Sequence, residues 1–336
     1  MAKIEKLPSG NYRIRVIVGH TEEGKPIRKS FTHYDKTKLR RIAAEYADAH
    51  RNSVRRVTVT DAIDCFYAAK FAILSPSTAR DYKSMGETLK DKYGDFCRLY
   101  VDEVTSRELQ AVINGMVEDG KKPKTVKNYH GFLCSVFKYV DFSLPRVNLP
   151  QAERPNIRIP EAEEVQKIMQ AAAGSRLEVA LGLACMGLRR SEICALTIDD
   201  LDKNTIHIHR SAVYGADMEI HVKTTKNYTS DRFVVLPDKL ADKIREQGFI
   251  WDSTPAALTN CFSLFLKSHG FPHYRLHDMR HFFASYCHNV LKMSDKQIQA
   301  ITGHKTSETL RRVYLHSLEQ TQINKAVADN MNTLLM

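Results

Sequence analysis

The chain has 336 residues, 43% of them apolar and 26% charged, an ordinary globular composition that excludes disorder as the main state. That length exceeds one hydrophobic core, so two or three domains are expected. A formal net charge of +11 points to a polyanionic partner, although charge alone does not separate DNA from RNA, a membrane surface or heparin.

The distribution of charge is more informative than its sum. Residues 1–57 hold fourteen Lys and Arg against six Asp and Glu, so most of the excess is concentrated in one segment. Within it, "GNYRIRVIVG" alternates Tyr12, Ile14, Val16 and Val18 with Arg13, Arg15 and Ile17, a strand period with arginines on one face. "HTEEGKPIRKSFTHY" then reads as a hairpin turn at Glu23-Gly24 and a second basic strand, followed by a helix from about Lys36 to His50. A small sheet plus helix is expected, its polar face carrying Arg13, Arg15, Arg28 and Lys29. Such a two-stranded ribbon fits a DNA major groove.

"RNSVRRVTVT" is a basic linker, and the pattern is then helical for almost ninety residues. Asp61 can cap the first helix, Ser75 or Ser77 the second, and Thr105 with Glu108 makes a capping box for the third. "PKTVKNYHGFLCSVFKYV" supplies a fourth helix, with Lys121, Lys122, Lys124 and Lys127 clustered at its start as a candidate phosphate-contacting surface. "SLPRVNLPQAERPNIRIP" carries four prolines and no period, which sets a domain boundary. From Glu161 the chain reads helix, helix, three short strands ("TIHIHR", "MEIHVKT", "RFVVLP") and helices to its end, an α+β domain. The expected layout is 1–55, 58–145 and 158–336.

The seven cysteines are odd in number, scattered and without a C-x-x-C pair, as suits thiols in a reducing compartment. "MAKIEKLPSG" lacks an apolar h-region and no run of 18 apolar residues occurs, so a soluble, cytoplasmic protein is expected.

Chemistry concentrates in the last domain. "LACMGLRRSEICAL" breaks an apolar helix at Gly187, displays Arg189 and Arg190, and restarts with Ser191 and Glu192 in the first turn. In "RLHDMRHFFASYCHNVL", His277, Arg280, His281 and Ala284 share one helical face, while Phe283, Cys287 and Val290 make the other. His277 and His281 have the i, i+4 spacing of a zinc motif, but Asp278 stands at the base position and Arg280 would put a fixed cation beside the metal, so no metal is assigned. Arg189, Lys226, His277, Arg280, His304 and Tyr314 together supply cations, proton donors and one hydroxyl. Arginine forks can stabilise the charge that a phosphodiester gains in its transition state, and a tyrosine can carry a covalent phosphoryl link. Tyr274 and Tyr286, the latter on the packed side of its helix, are expected to be structural.

These residues resemble the tyrosine recombinases of the phage integrase family, in a layout like that of integrases of conjugative transposons and temperate phages. Arg189 in "GLRRSE" matches the family's first arginine and Glu192 its acidic helper; His277 and Arg280 fit the H-x-x-R box; "GH" at 303–304 fits the second histidine; Tyr314 in "TSETLRRVYLHS" fits the nucleophile. For the family's hairpin lysine the sequence offers Lys226, favoured by its spacing to the next strand, with Lys223 left open. The resemblance implies an arm-type DNA-binding domain at 1–55, an all-α core-binding domain at 58–145 and a mainly α catalytic domain.

The resemblance further implies a site-specific integrase acting without metal or cofactor. Tyr314 joins the 3′ phosphate, Arg189 and Arg280 hold the non-bridging oxygens, His304 hydrogen-bonds one of them, His277 helps take the tyrosine proton, and Lys226 protonates the leaving 5′ oxygen. The partners implied are double-stranded attachment sites of core and arm type, a homotetramer exchanging strands through a Holliday junction, and candidate accessory DNA-bending or excisionase proteins, in a bacterial cytoplasm at the nucleoid and with no membrane. The amphipathic tail after Tyr314 packs on its own chain or docks on a neighbour. Two other readings stay open, a type IB topoisomerase-like enzyme and a DNA-binding regulator that does not cleave.

Overall fold

The computed structural model describes residues 4–20, 26–50, 56–151, 158–224, 231–304, 306 and 308, for 18–20 and 48–50 the backbone alone. The chain divides into two compact units, Met1–Arg154 and Pro155–Met336, and each is described by itself.

The first unit opens with an antiparallel sheet of β1 (Ile4–Lys6), β2 (Tyr12–His20) and β3 (Pro26–His33), in the order β1-β2-β3, and helix α1 (Lys36–His50). Alternation turns Tyr12, Ile14 and Val16 towards α1, where they pack with Phe31 around Leu39 and Ala43. The register pairs Arg13 with Thr32, Arg15 with Ser30, Ile17 with Arg28, and Val16 with Lys29. Arg13, Arg15 and Arg28 therefore share the outer face, as expected, but Lys29 does not. Consecutive strand residues point to opposite faces, and Lys29 lies on the helix side, its ammonium 4.3 Å from the centre of the Tyr46 ring. The turn expected at Glu23-Gly24 lies outside the described residues.

Helices α2 (Val59–Lys70), α3 (Pro76–Lys92), α4 (Gly94–Arg98), α5 (Ser106–Glu118) and α6 (Pro123–Tyr139) follow. Phe66, Leu89, Leu109, Ile113, Met116, Leu133 and Phe137 form their shared core, a cluster separate from that of the sheet. Thr58, not Asp61, is the N-cap of α2; Asp61 sits at the third helical position and closes a capping box back onto Thr58. Ser75 caps α3, and Thr105 with Glu108 caps α5 reciprocally. At the start of α6, Lys122, Lys124 and Lys127 are exposed, and Lys121 leans over Tyr129.

The second unit runs α7 (Ala162–Ala172), α8 (Leu177–Cys185), α9 (Arg190–Ile193), β4 (Leu201–Asp202), β5 (Thr205–Ile208), β6 (Arg210–Tyr214), β7 (Ile220–Thr224), β8 (Arg232–Val235), α10 (Asp238–Gln247), α11 (Pro255–Ser268), α12 (Leu276–Asn289) and α13 (Asp295–Thr302). Two small sheets result, β4-β5-β8 and β6-β7, where three strands were expected. β6 gave no alternation to read, because only Ala212 along it is buried. Leu177, Val179, Ala180, Leu181, Leu183 and Ala184 bury α8 on all sides, which makes it the central helix of this unit. α12 packs against α8, and α13 against α12 and β8. No helix among the described residues is long and apolar enough to cross a membrane.

Candidate active site

The end of α8 fixes the first part of the site. Gly187 has φ +86°, a left-handed conformation that a side chain would strain, and a Cβ there would meet Phe283 at 2.7 Å and Thr302 at 3.1 Å. This turn aims the Gly187 carbonyl at Arg280, whose Nη1 donates to it. The second glycine, Gly303, ends α13 at φ +69°, and its carbonyl accepts from Arg189 Nη2 at 2.6 Å. Both carbonyls lie at the C-terminal ends of helices, where the backbone dipoles favour cations.

Around this frame the side chains converge. Arg280 is fully buried, and besides Gly187 its Nη2 lies 3.1 Å from His304 Nε2. Arg189 is the open member, its side chain 31% exposed, and its Nη1 donates to Glu192 Oε1 at 2.5 Å. Glu192 also caps its own helix by accepting from the Arg189 backbone N–H at 2.9 Å. A third guanidinium, Arg232, reaches Glu192 with two nitrogens at 2.9 and 3.3 Å and donates Nε–H to the Ile301 carbonyl at 2.5 Å. Arg189 and Arg232 thus share one carboxylate, the three guanidiniums take three helix-end carbonyls, and among the described residues these groups leave a net positive charge.

The electrostatics follow from that arrangement. Burial alone would raise the Glu192 carboxyl, but the Arg232 hydrogen bonds and charge, with Arg189 behind them, hold it below the usual carboxylate range. Burial, then the Arg280 and Arg189 charges, push His304 down to about 2. His281 falls to about 4 chiefly by burial. His277 also falls to about 4, first by burial and then by His281 and Arg280, although the residue as a whole is exposed. Arg280 is driven down from its ordinary value by burial and by Arg189. The histidines of the site are therefore neutral at neutral pH.

Of the six catalytic candidates, the fold gathers Arg189, Arg280 and His304 into one hydrogen-bonded pocket, with His277 one turn from Arg280 on α12. Lys223 is half-buried on β7, opposite Ser211; Lys226 and Tyr314 lie outside the described residues. The α12 face expected to be open and cationic is instead mostly covered, with Arg280 at 0% and His281 at 8% exposure. The His277 and His281 rings meet edge to face at 4.4 Å, and Asp278, at the position of a metalloprotease base, is taken up by Arg275 at 2.7 Å. Val290 and Tyr286, assigned to the packed side, are exposed, since α12 buries its other flank against α8. Tyr274 is buried and its hydroxyl bonds Glu164 at 2.5 Å, a structural role as expected.

Arg232 was not singled out from the sequence, yet a signal was there. In "RFVV" the inward positions of β8 are Arg232 and Val234, and a charge at a core position of an alternating strand calls for a buried counterion. Thr302, fully buried beside the second histidine, was also passed over.

Comparison with known proteins bears on the same unit. Residues 159–321 match the phage integrase family. A tyrosine recombinase XerC-like protein of Caldanaerobacter subterraneus is 23% identical over 97% of this chain and 96% of its own. The Tn1549 transposon integrase, solved with transposon right end DNA, superposes with a TM-score of 0.66 at 16% identity over 81% of this chain and 99% of that one. Lambda integrase, solved as a dimer bound to a COC′ core site, gives 0.59 at 17% identity over 93% and 94%; as a tetramer bound to a Holliday junction it gives 0.58 at 17% identity over 90% and 96%. At these identities the structural likeness is one of fold.

Proposed function

We propose, from the premise that residues 159–321 make this chain a tyrosine recombinase of the phage integrase family, that it is a site-specific integrase of a phage or other mobile element, cutting and rejoining DNA through a covalent 3′-phosphotyrosine link. The observation that carries this reading is the meeting of Arg189 and Arg280, 91 positions apart in sequence, through the adjacent residues Gly303 and His304.

The Tyr314 oxygen attacks the scissile phosphorus, and the bond to the 5′ oxygen breaks as the new P–O bond forms. Arg189, with its open edge, and Arg280 take the charge that grows on the non-bridging oxygens. His277, neutral at neutral pH, has a lone pair to receive the phenol proton. Lys226, or Lys223 on β7, gives a proton to the departing 5′ oxygen, an assistance worth about a hundredfold or more. One phosphodiester is exchanged for another, so attack by a 5′ hydroxyl reverses the step and reseals the strand. Arg13, Arg15 and Arg28 on the outer sheet face, Lys29 beside α1, and Lys121, Lys122, Lys124 and Lys127 at the start of α6 meet phosphates of arm and core sites, on three domains at 1–55, 58–145 and 158–336. Four protomers act together on two duplexes, an assembly supported by the lambda integrase tetramer on a Holliday junction, with accessory DNA-bending or excisionase proteins setting direction.

The test is a nicked suicide duplex that traps the cleaved strand on the protein. Wild-type chain yields a covalent adduct; Tyr314→Phe yields none while binding the duplex as before. Adduct of normal yield from that variant overturns the nucleophile, absence of adduct from wild type favours a non-cleaving regulator, and relaxation of plasmid lacking any attachment sequence favours a topoisomerase.

A further inference from the structure

A chain of hydrogen bonds runs behind Arg280, and every proton in it has a determined owner. Arg280 can only donate, so at 3.1 Å its Nη2–H gives to His304 Nε2, which must present a lone pair. At the other end, Thr302 Oγ1 lies 2.6 Å from the Ile298 carbonyl, which can only accept, so the single hydroxyl proton goes there. The remaining contact, Thr302 Oγ1 to His304 Nδ1 at 2.7 Å, then requires the proton on Nδ1. The two ends are independent and name the same tautomer. Thr302 is 0% and His304 7% exposed, so solvent has little access to these groups, and a side chain at Gly187, whose carbonyl holds Arg280 Nη1, would meet the Thr302 methyl.

We infer that Thr302 is a positioning residue of the recombination site: its hydroxyl fixes His304 as the Nδ1–H tautomer, so that the Nε2 lone pair steers the Arg280 guanidinium. The inference rests on the reading of Arg280 as a phosphate-binding arginine. It gives His304 a role through Arg280 in the DNA-free protein, distinct from direct donation to a phosphate oxygen. The ring nitrogen that carries the proton is set by what the other nitrogen bonds, and a valine of the same shape removes that control. An Nε2–H would then face the Arg280 N–H groups, donor against donor, and the guanidinium would turn away.

The test uses the full chain as wild type, Thr302→Val, Thr302→Ser, and Thr302→Val in a His304→Ala background. The tautomer is read from long-range proton–nitrogen spectra of the imidazoles, with His304 assigned by its absence in His304→Ala. Wild type and Thr302→Ser are expected to show His304 protonated at Nδ1, and Thr302→Val to gain the Nε2–H signature. On the suicide duplex, Thr302→Val should cleave about tenfold more slowly, as the loss of one hydrogen bond to a charged group implies, with unchanged DNA affinity and recovery in Thr302→Ser. In the His304→Ala background the valine should cost nothing further. An Nε2–H signature in wild type, a Thr302→Val that cleaves as wild type, or an equal tenfold loss without His304 would each overturn the inference. Should wild type form no adduct, the recombinase reading fails, while the spectra still decide the tautomer.

Discussion

The positive charge of this protein is used in two contrasting ways. At the start of α6, Lys122, Lys124 and Lys127 stand exposed in solvent. In the second unit, Arg280 and Arg232 are buried at 0% and 7% exposure, and they bond the Gly187 and Ile301 carbonyls, the Glu192 carboxylate and the His304 imidazole. Exposed cations contribute screened, nearly independent increments to polyanion affinity. Arg232 and Arg189 depend on one another through the Glu192 carboxylate they share, while Arg280 is held by the Gly187 carbonyl and His304. On the proposed function, the difference separates how tightly DNA is held from how one phosphate is handled.

Removing the shared carboxylate should expose that contrast most strongly. Glu192→Gln leaves Arg232 and Arg189 facing each other without a counterion, and breaking a buried pair of this kind costs about 3–5 kcal/mol. Urea unfolding read by Trp251, the single tryptophan and buried within this unit, measures it. A loss under 1 kcal/mol would mean that the pocket cations do not depend on one another.

Acid should act more gradually. His281 and His304 have folded pKa values of about 4 and about 2, against the ordinary 6.5, so between pH 6.5 and 4 the unfolded chain binds more protons than the folded one. Their contribution is complete above pH 6.5 and declines as pH falls, by about 1.4 kcal/mol per pH unit for each ring. The lowered Glu192 carboxyl adds a further loss below the ordinary carboxylate value of 4.5. His281→Phe should flatten the slope between pH 6 and 5 by one ring's share; an unchanged slope would refute the neutral, buried state of that imidazole.

The smallest effects belong to the exposed surface. Lys124→Ala and Lys127→Ala should each reduce the salt dependence of DNA binding by about one unit of slope and leave stability within about 0.5 kcal/mol. Cleavage by the saturated complex should stay at the wild-type rate. A change in that rate would place these lysines in the chemistry and erase the contrast.

What could be read from the sequence divides along similar lines. Features set by neighbouring sequence were readable: the helix Lys36–His50, the Thr105–Glu108 box, the break at Gly187 and the restart at Glu192. Features set by a distant partner were not. The burial of the Arg280 face depends on Gly187, 93 residues earlier, and the exposure of Tyr286 and Val290 depends on which flank α12 offers to α8. Lys29 was misplaced for a simpler reason, since two adjacent strand residues cannot share a face. Motif spacing pointed to Arg189, Arg280 and His304 as candidates because the family resemblance supplied long-range information that periodicity lacks. Arg232 and Thr302 belong to no such motif and became visible only through their contacts.

The left-handed turns at Gly187 and Gly303 have a consequence for divergence. The oxygen atoms that grip Arg280 and Arg189 belong to the main chain, and every amino acid carries the same oxygen. These two anchors therefore depend on the course of the main chain, while Glu192 and His304 add side-chain holds on the same forks, and rerouting either loop would move the anchors at once. What descendants of this chain must inherit at those two places is a path through space, and glycine is the residue that lets the path be taken.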